Sequence, residues 1–283
     1  MTLHKLIADY PFVVAMAVVY LAAFLTAAPS LLLRRERIAR LSVLILGIGF
    51  ALNTVAIVDR WVEAGRPPFK TLFETLLLYP WCISLLALAL IWAHRLRLLV
   101  VFAAAFNLVG LAYGLSRPDV EIVHLPPALQ SVWFIPHVVI YFIAYAALAL
   151  AAGLAAVTLL APAWERVRHG APNGNGNADG FRAKVERTAH HAAAFGIVTL
   201  TLGLVMGAVW GKYAWGDYWS WDPKENWSLV TWLGYMAYAH VHLVPRWRRQ
   251  ALWLLIVAFG AVLFTYLGMH LLPTAGSSLH VYQ

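Results

Sequence analysis

The chain has 283 residues, of which 62% are apolar and 12% charged, with a mean hydropathy of +0.71. That balance excludes an ordinary soluble domain and specifies a polytopic integral membrane protein, all-α, with about eight transmembrane helices. The net charge of +8 does not point to nucleic acid, because the basic residues fall in short clusters between apolar runs, as topology signals do.

The first apolar run, Pro11 to Ala28, is long enough to span. Only Lys5 precedes it, whereas Arg34, Arg35, Arg37 and Arg40 follow. The charge bias therefore keeps the run as a span with its N-terminus outside, rather than as a signal peptide cleaved after Thr26-Ala27-Ala28. Leu41 to Val58 is the second span, and Asp59 to Lys70 is an outer loop. The third span is Thr71 to Ala93, where Glu74 and Pro80 read as an interruption that sets its outer end apart as an amphipathic piece. Leu98 to Leu115 is the fourth span and Val132 to Leu160 the fifth. Cys82, the single cysteine, lies in the third span as a small packing residue. One cysteine excludes an internal disulfide, a thiol redox pair and a Cys-based zinc site within this chain.

Residues 164–189 are the only long polar stretch. With Gly170-Ala-Pro-Asn-Gly-Asn-Gly-Asn-Ala-Asp-Gly180 between basic ends, they are expected to form a flexible cytoplasmic linker. The sixth span is about His190 to Val209, the seventh Pro223 to Val244 and the eighth Gln250 to His270. In this arrangement 14 of the 21 Lys and Arg residues lie inside and 7 outside, so both termini face out. No repeat of 20–50 residues is visible, and residues 1–283 read as one membrane domain.

Between the sixth and seventh spans, residues 210–227 hold five of the thirteen tryptophans: Trp210, Trp215, Trp219, Trp221 and Trp227. An interfacial belt needs only scattered rings. This many in one loop favours a flat, rigid aromatic surface for a large planar apolar ligand with a polar edge. Asp222-Pro223-Lys224-Glu225 has the form of a helix start: Asp at N-cap, Pro at N1 and Glu at N3 of a capping box.

A planar apolar ligand beside histidines suggests haem, whose iron takes axial imidazole. His4, His94, His169, His190 and His191 sit in terminal or basic inner segments and read as topology charge, and His124 reads as structural. His137 and His280 share the outer face with the tryptophan loop, which is what bis-histidine ligation requires; His270 is the rival to His280. His240 and His242 lie within the seventh span, where an ionisable residue is a functional candidate by default. They point about 200° apart on a helix, and His240 lies roughly 27 Å along the axis from Asp222, too far to share iron with the outer pair.

Trp215-Gly-Asp-Tyr-Trp-Ser-Trp-Asp-Pro-Lys-Glu-Asn-Trp-Ser-Leu-Val-Thr-Trp232 resembles the WWD signature of the haem-handling proteins of cytochrome c biogenesis. With the flanking Gly207-Ala-Val-Trp210, its form is similar to the CcsA (ResC) type of System II, more than to CcmC or CcmF of System I. Arg60-Trp-Val-Glu-Ala-Gly65, Leu72-Phe-Glu-Thr75, Ala128-Leu-Gln-Ser-Val-Trp133 and Leu279-His280 extend the resemblance over most of the chain from about residue 47. The family's terminal Leu-His-Ser-Tyr-Gly is Leu279-His-Val-Tyr-Gln283 here.

The resemblance implies that haem b crosses from the cytoplasmic side to an outer WWD site. There it is attached to the Cys-x-x-Cys-His thiols of apocytochrome c, the work of a cytochrome c haem lyase (holocytochrome c synthase) subunit. It implies His137 and His280 as outer iron ligands and Trp215, Trp219, Trp221, Trp227 and Asp222 as the WWD surface. His240 becomes an inner iron ligand, facing a histidine of a CcsB (ResB) partner. Thiol-reducing proteins are implied indirectly, and the membrane is bacterial inner membrane, or thylakoid. The alternatives are a haem exporter or chaperone without attachment activity, and a non-haem scaffold or transporter whose tryptophans only anchor it.

Overall fold

The structure, a computed structural model, describes residues 11–33, 35–116, 121, 122, 124–169, 176–268 and 271. Among the described residues there are eight α-helices and no strand. They divide into two compact units, Met1–His124 and Leu125–Gln283.

The first unit holds α1 (Pro11–Leu33), α2 (Glu36–Ala64), α3 (Leu72–His94) and α4 (Leu99–Leu115). α1 packs on α2 and α4, and α3 packs on the same two. Gly65 stops α2 in the left-handed conformation, at φ 64°, which glycine adopts without a Cβ penalty. Where all four helices meet, a polar chain crosses an otherwise apolar core. Asn107 Nδ2 donates to Ser84 Oγ at 2.8 Å, Ser84 Oγ to the Tyr20 hydroxyl at 3.3 Å, and Asn53 Nδ2 to the Leu77 carbonyl at 3.0 Å. Such pairs fix helix register where no water is at hand.

α3 runs unbroken through both Glu74 and Pro80, which corrects the expected interruption. Glu74 is not a break but the N3 residue of a capping box: Thr71 Oγ1 accepts its N–H at 3.1 Å, and its carboxylate accepts the Thr71 N–H at 3.3 Å. Its charge is buried completely, at 0% exposure, because Arg66 donates two parallel hydrogen bonds to it at 3.0 Å each. Arg60 Nε lies 3.7 Å from the same carboxylate.

The second unit holds α5 (Phe134–His169), α6 (Gly176–Trp215), α7 (Pro223–His242) and α8 (Arg248–Leu263), which continues as a π-helical turn, Phe264–Gly268. α5 is the central helix, and Ala144, Ala146, Leu148, Leu150, Ala151 and Leu154 on it are all buried. α6 lies along α5 by means of small residues at positions 196, 203 and 207, spaced for one helix face. A Cβ at Gly196 would stand 2.7 Å from the Leu148 side chain, and one at Gly203 would stand 2.8 Å from the Tyr141 ring. The expected linker 164–189 is helical over its described parts, α5 reaching His169 and α6 starting at Gly176; residues 170–175 lie outside the described residues.

Among the described residues, six helical stretches are long and apolar enough to cross a membrane: Pro11–Ser30, Glu36–Ala64, Leu72–His94, Phe134–Leu160, Gly180–Trp215 and Pro245–Gly268. α4 is apolar but has 17 residues. α7 has 20 residues but carries Lys224, Glu225 and Asn226 in its first turn and two histidines near its end. The protein is thus a multi-pass, all-helical membrane protein.

Candidate functional site

The tryptophan-rich segment is shorter as a loop than its composition suggests. Trp210 to Trp215 form the last turns of α6, which ends at Gly216 with φ 94°. Only residues 216–222 connect it to α7. Lys212 Nζ donates to the Gly216 carbonyl at 2.6 Å. A Cβ at Gly211 would lie 3.2 Å from the Asp217 carbonyl oxygen, so the loop folds back tightly against the end of α6.

α7 begins as its sequence specifies. Asp222 is the N-cap and accepts the Lys224 N–H at 2.8 Å, Pro223 is at N1, and Glu225 returns the capping box by accepting the Asp222 N–H at 3.1 Å. Glu225 reaches further, to the Ser220 N–H at 2.8 Å and the Ser220 hydroxyl at 3.2 Å. Asn226 Nδ2 donates to the Trp221 carbonyl at 2.9 Å. One helix start thereby pins Ser220, Trp221 and Asp222. Trp221 is held with φ 59°, a conformation rare for a bulky residue, and its side chain is 69% exposed.

The rings do not share a plane, which corrects the expected flat surface. Trp219 and Trp221 meet at 86°, and Trp210 and Trp215 at 55°. Inclined rings form walls and edges in place of a single floor, because each is held by a different contact. Trp227 packs on Phe264 of the π turn at 4.2 Å between centroids. Its carbonyl accepts from Thr231 at 2.8 Å and Thr265 at 3.2 Å. Trp210 is 3% exposed, and its Nε1 donates to the Ala128 carbonyl at 2.9 Å.

His137 lies beside this segment. Its ring centroid is 5.5 Å from that of Trp210 and 4.8 Å from that of Tyr141, the latter edge-on. Its Nδ1 is 3.0 Å from the Gly203 carbonyl oxygen of α6. A carbonyl only accepts, so Nδ1 carries the proton, and the lone pair of the neutral ring is on Nε2. His137, Trp210, Trp215 and the loop therefore belong to one end of the second unit. His280 and His270, the residues expected to complete an outer pair, lie outside the described residues.

At the far end of α7 the two remaining histidines separate as helical geometry requires. His240 is exposed, on a face it shares with Val230, Leu233 and Ala237, and its Nδ1 is 2.7 Å from the Met236 carbonyl of its own helix. His242 turns inward and stacks on His190 of α6 at 3.9 Å, with an interplanar angle of 14°. His190 Nδ1 lies 3.0 Å from the buried Tyr238 hydroxyl. In the sequence His190 reads as topology charge, because its partners lie 48 and 52 residues away in the chain. Tyr238 and His242, four apart on α7, were the available signal. Among the described residues no group of three or more His, Cys, Asp or Glu side chains is arranged to hold a metal ion. Haem, which brings its own four nitrogen donors, needs only axial ligands.

The sequence profile described as "Cytochrome C assembly protein" matches residues 69–275. "Cytochrome c biogenesis protein CcsA" of Chlamydomonas reinhardtii is 32% identical over 246 residues, covering 84% of this chain and 67% of the relative. The CcsA protein of Guillardia theta is 30% identical over 246 residues, with 81% of each chain covered. That of Parasynechococcus marenigrum is 31% identical over 263 residues, covering 84% and 85%. Among solved structures, "Cytochrome c Heme Lyase CcmF" superposes with a TM-score of 0.66 at 18% identity. The match takes in 90% of this chain and 46% of that one, so the chain spans about half of the solved protein and shares its fold over that part.

Proposed function

The chain belongs to the cytochrome c assembly protein family, as a CcsA-type member, and on that footing we propose that it delivers haem b to apocytochrome c and serves as the haem-attaching subunit of a cytochrome c synthase. The observation that carries this reading is His137. Its Nδ1 donates to the Gly203 carbonyl, which assigns the lone pair of the neutral form to Nε2, and its ring is set against Trp210 at the end of the unit that holds the tryptophan loop. A metal-binding histidine typically has its second nitrogen engaged in this way.

Attachment adds each thiol S–H of the Cys-x-x-Cys-His segment across one vinyl C=C of haem. The hydrogen goes to one carbon and the sulfur to the other, so the addition balances without an oxidant. Both thiols come from the apocytochrome, in keeping with Cys82 being buried and free. The chain's own contribution is orientation and exclusion of water. His137 and His280 are the proposed axial residues, with Trp215, Trp219, Trp221 and Trp227 as walls around the macrocycle. Asp222 acts through them, since its carboxylate is taken up in capping α7.

His240 is the proposed inner ligand. An imidazole on an exposed apolar helix face calls for a polar counterpart from another chain. A CcsB (ResB)-type membrane protein supplying the second histidine meets that need. The stacking of His242 on His190 favours His240 for the role. The setting is the bacterial inner membrane, with the tryptophan loop on the outer face.

The test is the visible spectrum of the purified chain, alone and with its partner, in wild type, His137→Ala and His280→Ala. Reduced haem b bands that weaken or shift in each variant support the outer pair. Bands unchanged in both move haem to another site. No haem in any sample sinks the haem reading altogether, and haem bound without thioether formation in the presence of partner and apocytochrome leaves an exporter.

A further inference from the structure

We infer that Gly203 and Gly207 are positioning residues, a seat on α6 that fixes the tautomer and ring orientation of His137 so that Nε2 is the nitrogen offered to iron. The inference rests on His137 being a haem ligand, as proposed above.

Residues 203 and 207 are one α-helical hydrogen bond apart, so the Gly203 carbonyl is the one that accepts the Gly207 N–H. A carbonyl has a second lone pair, and the His137 ring uses it, with Nδ1 3.0 Å from the oxygen. To reach that oxygen the imidazole comes close to the α6 backbone at the next turn. A Cβ at position 207 would stand 2.6 Å from His137 Cε1 and 3.0 Å from Nδ1, so the imidazole would have to shift to admit it. Alanine would otherwise be the better helix former, so glycine at 207 sacrifices helix stability for close approach. Position 203 is shut in the same way by the Tyr141 ring, 2.8 Å from its would-be Cβ.

Two rings complete the seat. Tyr141 meets the imidazole edge-on at 71°, and Trp210 lies on the other contact at 36°. Trp210 is itself fastened through Nε1 to Ala128. His137 is therefore flanked by Gly207, Tyr141 and Trp210, and its Nδ1 is held by the Gly203 carbonyl. The seat is made by α6 together with Tyr141 of α5.

The consequence for iron is electronic as well as geometric. An Nδ1–H donating to a carbonyl makes the imidazole a stronger donor through Nε2, which favours the ferric state. Displacing the ring from Gly203 weakens that effect, so the haem midpoint potential rises. Disturbing such a supporting contact typically lowers metal affinity about ten- to a hundredfold.

The experiment uses the full chain in detergent, labelled with ¹⁵N at histidine, with the His137 signals assigned by their loss in His137→Gln. In haem-free wild type we expect Nδ1 protonated and Nε2 unprotonated. In Gly207→Ala we expect the tautomers to mix, and the haem-loaded variant to show a raised midpoint potential and weaker binding. Gly234→Ala, whose Cβ would make ordinary contact with Ala258 at 3.4 Å, is the control and should alter neither readout. A wild-type ring protonated on Nε2 overturns the inference, and so does a Gly207→Ala protein with unchanged ring signals and potential. If Gly207→Ala does not fold, the wild-type tautomer alone decides. Should His137→Ala keep the wild-type haem spectrum while the tautomer is as expected, the ligand assignment fails and the seat is only structural.

Discussion

Glu225 and Ser220 are joined twice, through the Ser220 N–H at 2.8 Å and its hydroxyl at 3.2 Å, and this pair closes the tryptophan loop onto the first turn of α7. The same carboxylate completes the capping box at Asp222. Helix start and loop geometry therefore depend on one side chain.

Glu225→Ala should accordingly remove more than a cap. Loss of an N-terminal capping contact costs about 0.5–2 kcal/mol, and here Ser220 and Asp222 lose their acceptor together. We expect a lower unfolding temperature for the solubilised protein and reduced haem retention. Glu225→Gln keeps an acceptor oxygen and suits the capping box, so it should fall much nearer to wild type. Equal losses in the two variants would mean that charge, and not the hydrogen-bond pattern, holds the loop.

Glu74 poses the opposite problem, a carboxylate with no exposure inside a membrane protein. Arg66 and Arg60 converge on it, and the Lys70 N–H adds a hydrogen bond at 2.9 Å. Glu74→Ala leaves two guanidinium groups around an apolar methyl, at a cost of about 3–5 kcal/mol. The chain should accumulate poorly or unfold at markedly lower temperature. Combining Glu74→Leu with Arg66→Met should recover part of the loss, because an apolar pair of similar volume replaces buried charge. A Glu74→Ala protein with wild-type thermal stability would refute this account.

The contrast between these two glutamates explains what could be read from sequence. Asp222-Pro-Lys-Glu225 is a local code whose partners all lie within five residues, and the helix start was legible from it. Thr71 and Glu74 follow the same grammar, yet Glu74 reads as an interruption in the sequence, because its neutralising arginines are 8 and 14 residues upstream, across a loop. The contact of His190 is illegible for the same reason: its stacking partner is on another helix. Composition identified a tryptophan cluster beside His137, but ring angles are set by tertiary contacts such as Trp227 on Phe264, which no local pattern encodes. The helical course of Trp210 to Trp215 escaped notice because the apolar run ends before the helix does; the stop is Gly216.

His240 and His242 give a prediction that separates fold from function. His242→Ala removes a stacked ring between α6 and α7, so it should lower stability by about 0.5–1.5 kcal/mol while haem bound in the presence of the partner is retained. His240→Ala should do the reverse, leaving thermal unfolding unchanged and abolishing the inner haem spectrum. Reversed outcomes would make His242 the ligand.

Trp210→Phe tests how the tryptophan segment reaches His137. Phenylalanine keeps a ring against Phe134 and the imidazole, whose centroids lie 5.8 and 5.5 Å from that of Trp210, but it cannot donate to Ala128. Losing that hydrogen bond costs about 1 kcal/mol, and the Ala128 carbonyl is left to find another donor. The 3₁₀ turn Pro127–Leu129 is then no longer tied to α6 at this point, and the ring is free to rock against His137. The expected result is a modest drop in unfolding temperature together with a broadened haem band in the loaded protein. A drop in stability with an unaltered spectrum would confine Trp210 to packing. A broadened band without any drop would show that its hydrogen bond serves the imidazole more than the fold.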